Sequence, residues 1–265
     1  MRPTSLIRKA TKAAVLPLGI PARRRQGDVV ILLYHRVGVG DREIDLPLRV
    51  FERQLITLKE RERVLSIDEA FERDSEGGIV VTFDDGFGDF YDHVLPLLVR
   101  HRLPAVLYLA TSLVDDGRVR STAGSERTLA WSQVEEAVGT RLVTCGSHTH
   151  AHADLSRASE AEAQEEMLRS KELIEERLGV ACRHFAYPWA VGSAGADRAA
   201  RRVFDTAALH AWRTNRPGRT DLHRLGRVPI LRSDGDLFFR AKVKGLLDGE
   251  ALVYRVLRRG PWGRI

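Results

Sequence analysis

Several short runs of almost wholly apolar residues, rich in β-branched side chains, set the limits on the fold. Val29–Tyr34 reads VVILLY, Ile79–Phe83 reads IVVTF and Ala105–Ala110 reads AVLYLA. A strand with one wet face alternates polar and apolar residues. These runs do not alternate, so both their faces are predicted to be buried, as in a parallel sheet covered by helices. Shorter strands are expected at Val64–Ile67, Arg141–Cys145, His184–Pro188, Phe204–Leu209 and Arg227–Leu231. Between the strands lie helical signals. Phe51, Leu55 and Leu58 recur at helical spacing within 50–61. Further helices are expected at 67–73, 93–101 and 131–138, the last capped by Thr128 or Ser132. Ser159 and Glu162 form a capping box that opens a long helix through Leu178, stopped by Gly179. Strands alternate with helices throughout, which places the chain in the α/β class with a largely parallel sheet. About seven strand–helix units fit a small or incomplete β/α barrel as well as an open sheet, and periodicity does not separate the two.

At 265 residues the chain can bury one core of barrel size. Its net charge of +6 is unevenly spread. Residues 1–27 hold seven Lys/Arg and no acid, and residues 237–265 hold seven against Asp248 and Glu250, so the middle is mildly acidic. The expected division is a basic N-terminal arm over 1–27, a body over 28–235 and a basic amphipathic tail over 236–265, with helical pieces at 237–247 and 250–257. Basic ends on a non-basic body suit a polyanionic surface. No nucleic-acid motif accompanies them, so an anionic membrane surface is the favoured partner beside the alternative of solvated tails. No stretch reads as a membrane span, and Pro17 and Gly19 interrupt the most apolar N-terminal run, so no clear signal peptide is present. A cytoplasmic location, peripheral at the inner membrane face, is expected. Cys145 and Cys182 lie in no Cys-x-x-Cys pattern and are expected as free buried thiols, with one disulfide as the alternative.

Chemistry concentrates at strand ends. Thr82-Phe83-Asp84-Asp85-Gly86 puts two carboxylates at the end of a buried run, and Tyr34-His35 ends another. In β/α folds the C-terminal ends of the strands build the active site. An Asp-Gly turn is the structural alternative. The strand RLVTC runs into Gly146-Ser147-His148-Thr149-His150-Ala151-His152, where His148 and His152 can converge on a metal from a loop or a first helical turn. Two histidines and one aspartate leave positions open for water and substrate, the mark of a catalytic metal site. An aspartyl phosphatase needs Asp-x-Asp, and a calcium loop needs acids at alternating positions ending in Glu. Neither fits.

With TFDDG and HTHAH both in place, the chain resembles the polysaccharide deacetylases (NodB-homology domain, carbohydrate esterase family 4). The segments LLYHRV, FERQLITLKERERVLSIDEAF, HTHAHADL and FAYPW, in that order, resemble one branch of that family, over roughly residues 28–235. The resemblance implies a distorted, incomplete (β/α)7-type barrel in a single domain with basic terminal extensions. It also implies hydrolysis of an N-acetyl group on an amino sugar of a polysaccharide or glycan precursor. Asp85, His148 and His152 would hold a divalent metal, zinc first and cobalt or manganese as alternatives. Asp84 would be the general base.

Two departures stand out. The general-acid histidine that many members carry near the C-terminus is absent from 228–236. His35 is the expected substitute, with His223 as the runner-up, itself more readily a surface residue. The arginine of the common Arg-x-Pro-Tyr motif, which braces the catalytic aspartate, is replaced by Ala186, and Arg227 is the candidate to fill that gap from another strand. Tyr187, Pro188 and Trp189 are expected at the substrate groove, with core packing as the alternative for the aromatics. Against the N-deacetylase stand a degenerate glycan-binding scaffold of the same fold and an O-acetyl esterase.

Overall fold

The computed structural model describes residues 24–114 and 127–247. Seven parallel strands form the centre: β1 (Val29–Tyr34), β2 (Gly78–Phe83), β3 (Ala105–Leu109), β4 (Val143–Ser147), β5 (His184–Ala186), β6 (Thr206–His210) and β7 (Leu225–Pro229). They stand in sequence order, and β1 pairs with both β2 and β7, so the sheet closes. That closure decides for the barrel over the open sheet. The ring is one strand short of the eight of a full β/α barrel, and the seam between β4 and β5 shrinks to the single register pair Ser147–Phe185. Around it run α1 (Leu48–Arg61), α2 (Ile67–Phe71), α3 (Leu95–His101), α4 (Trp131–Gly139), α5 (Glu160–Leu178), α6 (Ala194–Val203) and α7 (Gly235–Val243).

Alternate residues of each strand serve two cores. Val30, Leu32, Tyr34, Val81 and Phe83 pack outward against Phe51 and Leu55 of α1. Val29, Ile31, Val80, Val106, Tyr108, Ala186, Ala208 and Leu225 form a second, inner cluster with Leu65, Ile67 and Ala70. The inner space is filled by pairing large with small. A Cβ on Gly146 would stand 2.7 Å from the Tyr108 ring, so the bare glycine of β4 makes room for the tyrosine of β3.

Some expected elements move. Val64 makes only an isolated bridge to Ile79. The strand there is cut short because Ser66 is the N-cap of α2, in a capping box with Glu69. The 93–101 helix divides into a wider turn over Phe90–Val94 and α3. Pro96 has no N–H to give to the preceding turn, and the Leu95 N–H reaches back to Phe90 O. Neither Thr128 nor Ser132 caps α4; the Gln133 side chain accepts the Ala130 N–H at 3.1 Å. The last strand runs over Leu225–Pro229 rather than Arg227–Leu231, and Pro229, which cannot donate, ends it. Cys145 and Cys182 are free and buried.

Helix α7 starts where a separate tail was expected, yet Phe239, Val243 and Leu247 belong to the main core. Lys242 is buried there, its Nζ 2.6 Å from Asp234 and donating to Pro229 O at 2.7 Å. The Arg24 N–H donates to Lys244 O at 2.8 Å, so the paths toward both basic ends meet at the end of the barrel where the strands begin. The arm before Arg24, most of the 115–127 loop and the expected helix at 250–257 lie outside the described residues. Among the described residues no helix is long and apolar enough to cross a membrane.

Candidate metal centre and active site

Strand β2 ends in a tight turn that sends its two carboxylates to different places. Asp85 has φ 73° and Gly86 φ 84°, and the Gly86 N–H folds back to Asp84 O at 3.0 Å. A short polar side chain tolerates this left-handed conformation better than most. A Cβ at Gly86 would meet only the end of the Leu109 side chain, at 2.8 Å, so it is the left-handed φ that calls for glycine at position 86.

The His148–His152 segment is a loop, not a helix. Thr149 at φ 64° and His152 at φ 55° take left-handed conformations. For a β-branched threonine this is strained backbone of the kind that persists where surrounding contacts impose it. Here the His148 N–H donates to Leu109 O at 2.8 Å and the Ala153 N–H to Thr149 Oγ1 at 3.0 Å. The result is convergence. His148 Nε2 lies 3.4 Å and His152 Nε2 3.1 Å from the same oxygen, Asp85 Oδ1. Burial raises the Asp85 carboxyl's pKa, but the hydrogen bonds from His148 and His152 outweigh it and hold the group well below the usual range.

Asp84 turns into the barrel. Arg227, in the middle of β7, grips it with both guanidinium nitrogens: Nη1 to Oδ1 at 2.5 Å and Nη2 to Oδ2 at 2.7 Å. Arg227 is 1% and Asp84 4% exposed. The guanidinium also stands 5.2 Å from the centre of the Tyr108 ring. Burial opposes ionisation of Asp84, and the Arg227 and His148 charges overcome it, leaving the pKa lowered. Asp84 Oδ2 is 3.7 Å from His148 Nε2, so base candidate and ligand candidates share one site.

The family then follows from comparison with known proteins. The sequence profile of the polysaccharide deacetylases matches residues 72–204, half of the chain. The chain belongs to the polysaccharide deacetylase family. YxkH of Bacillus subtilis, which carries a polysaccharide deacetylase name, is 26% identical over 168 residues, 60% of this chain and 55% of that protein. Poly-beta-1,6-N-acetyl-D-glucosamine N-deacetylase of Escherichia coli is 39% identical over 80 residues, 28% of this chain and 12% of that enzyme. The chain thus spans about half the length of the first and a small part of the second. The structure of IcaB from Ammonifex degensii superposes with a TM-score of 0.71 at 27% identity, covering 83% of this chain and 98% of that one.

Against that family background the donor set fits a divalent cation. The donor atoms of Asp85, His148 and His152 all lie within 4.8 Å of one another. His148 Nδ1 is 2.7 Å from Ala186 O. A carbonyl only accepts, so Nδ1 carries a proton toward Ala186; with a cation bound, Nε2 would give up the proton it shares with Asp85 and offer its lone pair to the cation. The backbone oxygen of the residue standing in for the family arginine thus orients a ligand candidate.

The other expected residues separate. His35, half-buried after β1, lies in the field of the site: burial holds its pKa below the usual histidine value against the opposing pull of Asp85 and Asp84. His223 precedes β7, at the opposite end of the barrel, and its Nε2 is tied to Phe204 O at 2.8 Å. Trp189 is 50% exposed, and its ring stands 4.8 Å from that of His152. Tyr187 is packed in the core against Phe185, and Pro188 is buried as well, so Trp189 alone of the three presents its face. Sequence reasoning gives no role to Asp89, which is buried and accepts the Val37 N–H two positions past His35. The only signal for it is its place just beyond the Asp pair.

Proposed function

We propose that this deacetylase-family protein hydrolyses the N-acetyl group of an amino-sugar residue in a polysaccharide or lipid-linked glycan precursor, giving acetate and a free amine. The observation that carries the reading is a buried, arginine-paired Asp84 set against the converging donors Asp85, His148 and His152. Those three would hold the cation, zinc first and cobalt or manganese as alternatives. A cation there supplies Lewis-acid chemistry, polarising an acyl carbonyl and acidifying water. Asp84 takes the proton of the attacking water. Arg227 occupies one lone pair on each carboxylate oxygen and leaves others for that proton. As the new C–O bond forms and the C–N bond breaks, His35 gives a proton to the departing nitrogen. The exposed Trp189 offers a flat apolar surface to a pyranose ring.

Acetate release from N-acetylglucosamine oligomers, measured with metal content, tests the core of this reading. A metal-free protein that releases no acetate would favour the glycan-binding scaffold. His35→Ala separates amide from ester chemistry. It is expected to slow N-deacetylation by roughly 10²–10⁴-fold. Cleavage of p-nitrophenyl acetate, whose leaving group needs no proton, should be spared. Equal losses on both substrates would count against His35 as the acid.

The basic ends are proposed to meet an anionic membrane. Removing residues 1–23 keeps the Arg24 contacts to Lys244 and Glu62. The truncated protein is expected to lose most of its co-sedimentation with phosphatidylserine vesicles, the difference from the full chain being largest at low salt and shrinking as salt screens it. Undiminished binding would sink this part.

A further inference from the structure

None of the roles above uses Asp89, one turn of chain beyond Asp85. It is 7% exposed. Its Oδ2 accepts the Val37 N–H at 2.7 Å, a buried hydrogen bond between segments 52 positions apart. Its Oδ1 lies 3.9 Å from Arg36 Nε. The Arg36 guanidinium is anchored elsewhere, 3.1 Å from Asp45 and over the Phe87 ring at 5.4 Å. His35 therefore sits in a short bridge. On its near side the Asp84 N–H donates to Tyr34 O at 3.2 Å. On its far side Asp89 holds Val37. Among the described residues the His35 side chain itself has no hydrogen bond, so the backbone holds around it, these two and the Arg36 N–H on Ile44 O at 3.3 Å, set where the imidazole stands.

We propose that Asp89 is a positioning residue that sets His35 against the Asp84–Asp85 site by holding the Val37 N–H. This rests on the reading of His35 as the proton donor. One stretch, Asp84 to Asp89, then fixes both ends of the proton path. It carries the base directly and indexes the acid through Val37. Position 89 needs an acceptor atom more than a charge. Burial pushes the Asp89 carboxyl up to about 7 against the opposing Val37 hydrogen bond, and Arg36 has the closer partner in Asp45. Asparagine, equal in shape and still carrying a carbonyl oxygen, should serve. Alanine should not.

The test measures kcat and KM on N-acetylglucosamine oligomers, rates on p-nitrophenyl acetate and zinc content for wild type, Asp89→Ala, Asp89→Asn, His35→Ala and the Asp89→Ala/His35→Ala double variant. Asp89→Ala is expected to lower amide kcat by roughly 10–100-fold, the order expected when a reacting group is misplaced by about 1 Å. KM, ester rate and zinc should stay near wild type. Asp89→Asn should recover most of the loss. The double variant should be no slower than His35→Ala, because a residue acting through His35 has nothing left to position. Asp89→Leu, of similar volume and without an acceptor, replaces the alanine variant if that does not fold. Undiminished amide turnover in the acceptor-less variant would overturn the proposal. So would parallel loss of ester activity and zinc, failure of asparagine to rescue, or multiplied losses in the double variant. Unchanged amide hydrolysis in His35→Ala alone would instead remove the reading beneath it, whatever Asp89 does.

Discussion

Arg227→Ala is expected to destabilise the fold by about 3–5 kcal/mol, the usual result of stripping one partner from a buried ion pair. The pair is almost wholly enclosed, at 1% and 4% exposure, and bidentate. Its surroundings are the apolar inner core and the Tyr108 ring, and His148 Nε2, at 3.7 Å from Asp84, stands too far to replace the two direct contacts of Arg227. Urea unfolding should show the loss as a lower midpoint at constant slope. Arg227→Lys keeps the charge without the planar fork and should fall between wild type and alanine. Replacing both partners, as Asp84→Leu with Arg227→Met, should recover stability while leaving the protein inactive, because no charge is then stranded. A single Arg227→Ala variant within about 1 kcal/mol of wild type would contradict this account, since median surface pairs contribute no more than that.

Asp84→Asn is the second large effect. Turnover is expected to fall by roughly 10²–10⁴-fold, the span assigned to a positioned general base, with metal content unchanged. Asparagine keeps the shape and one acceptor for Arg227 but cannot take a proton. Asp85, His148 and His152, which converge without it, are untouched. The variant leaves Arg227 buried without a counter-charge, so its melting temperature will also drop, and rates must be compared where both proteins are folded. Metal analysis decides between outcomes. Loss of metal together with turnover would make Asp84 a ligand, and retained turnover would place the base elsewhere.

Much of this site is legible in the amino-acid sequence. Asp85 and the His148/His152 pair end two runs of buried-strand composition, and parallel strands of a β/α fold deliver their C-terminal ends to one face. Distant motifs have to meet there. The bond pattern inside the HTHAH loop is not legible, because it depends on left-handed backbone at Thr149 and His152, which those residue types do not favour. The side that Tyr187 takes is equally hidden. It follows a strand of three residues, too short for alternation to declare a face. Asp89 reads as one more polar residue in a turn, and only the fold sets Val37 against it.

Composition and spacing alone determine the α/β class, the buried strands and the residues waiting at their ends, because burial on both faces leaves its mark within a few residues of chain. Only the tertiary structure decides that the sheet closes, and with it that Arg227 reaches Asp84 across 143 positions. That meeting depends on β1 lying in register with β2 and β7 at once, Ile31 beside both Val80 and Arg227. Register around a closed ring is a property of all seven strands together, and no local periodicity carries it.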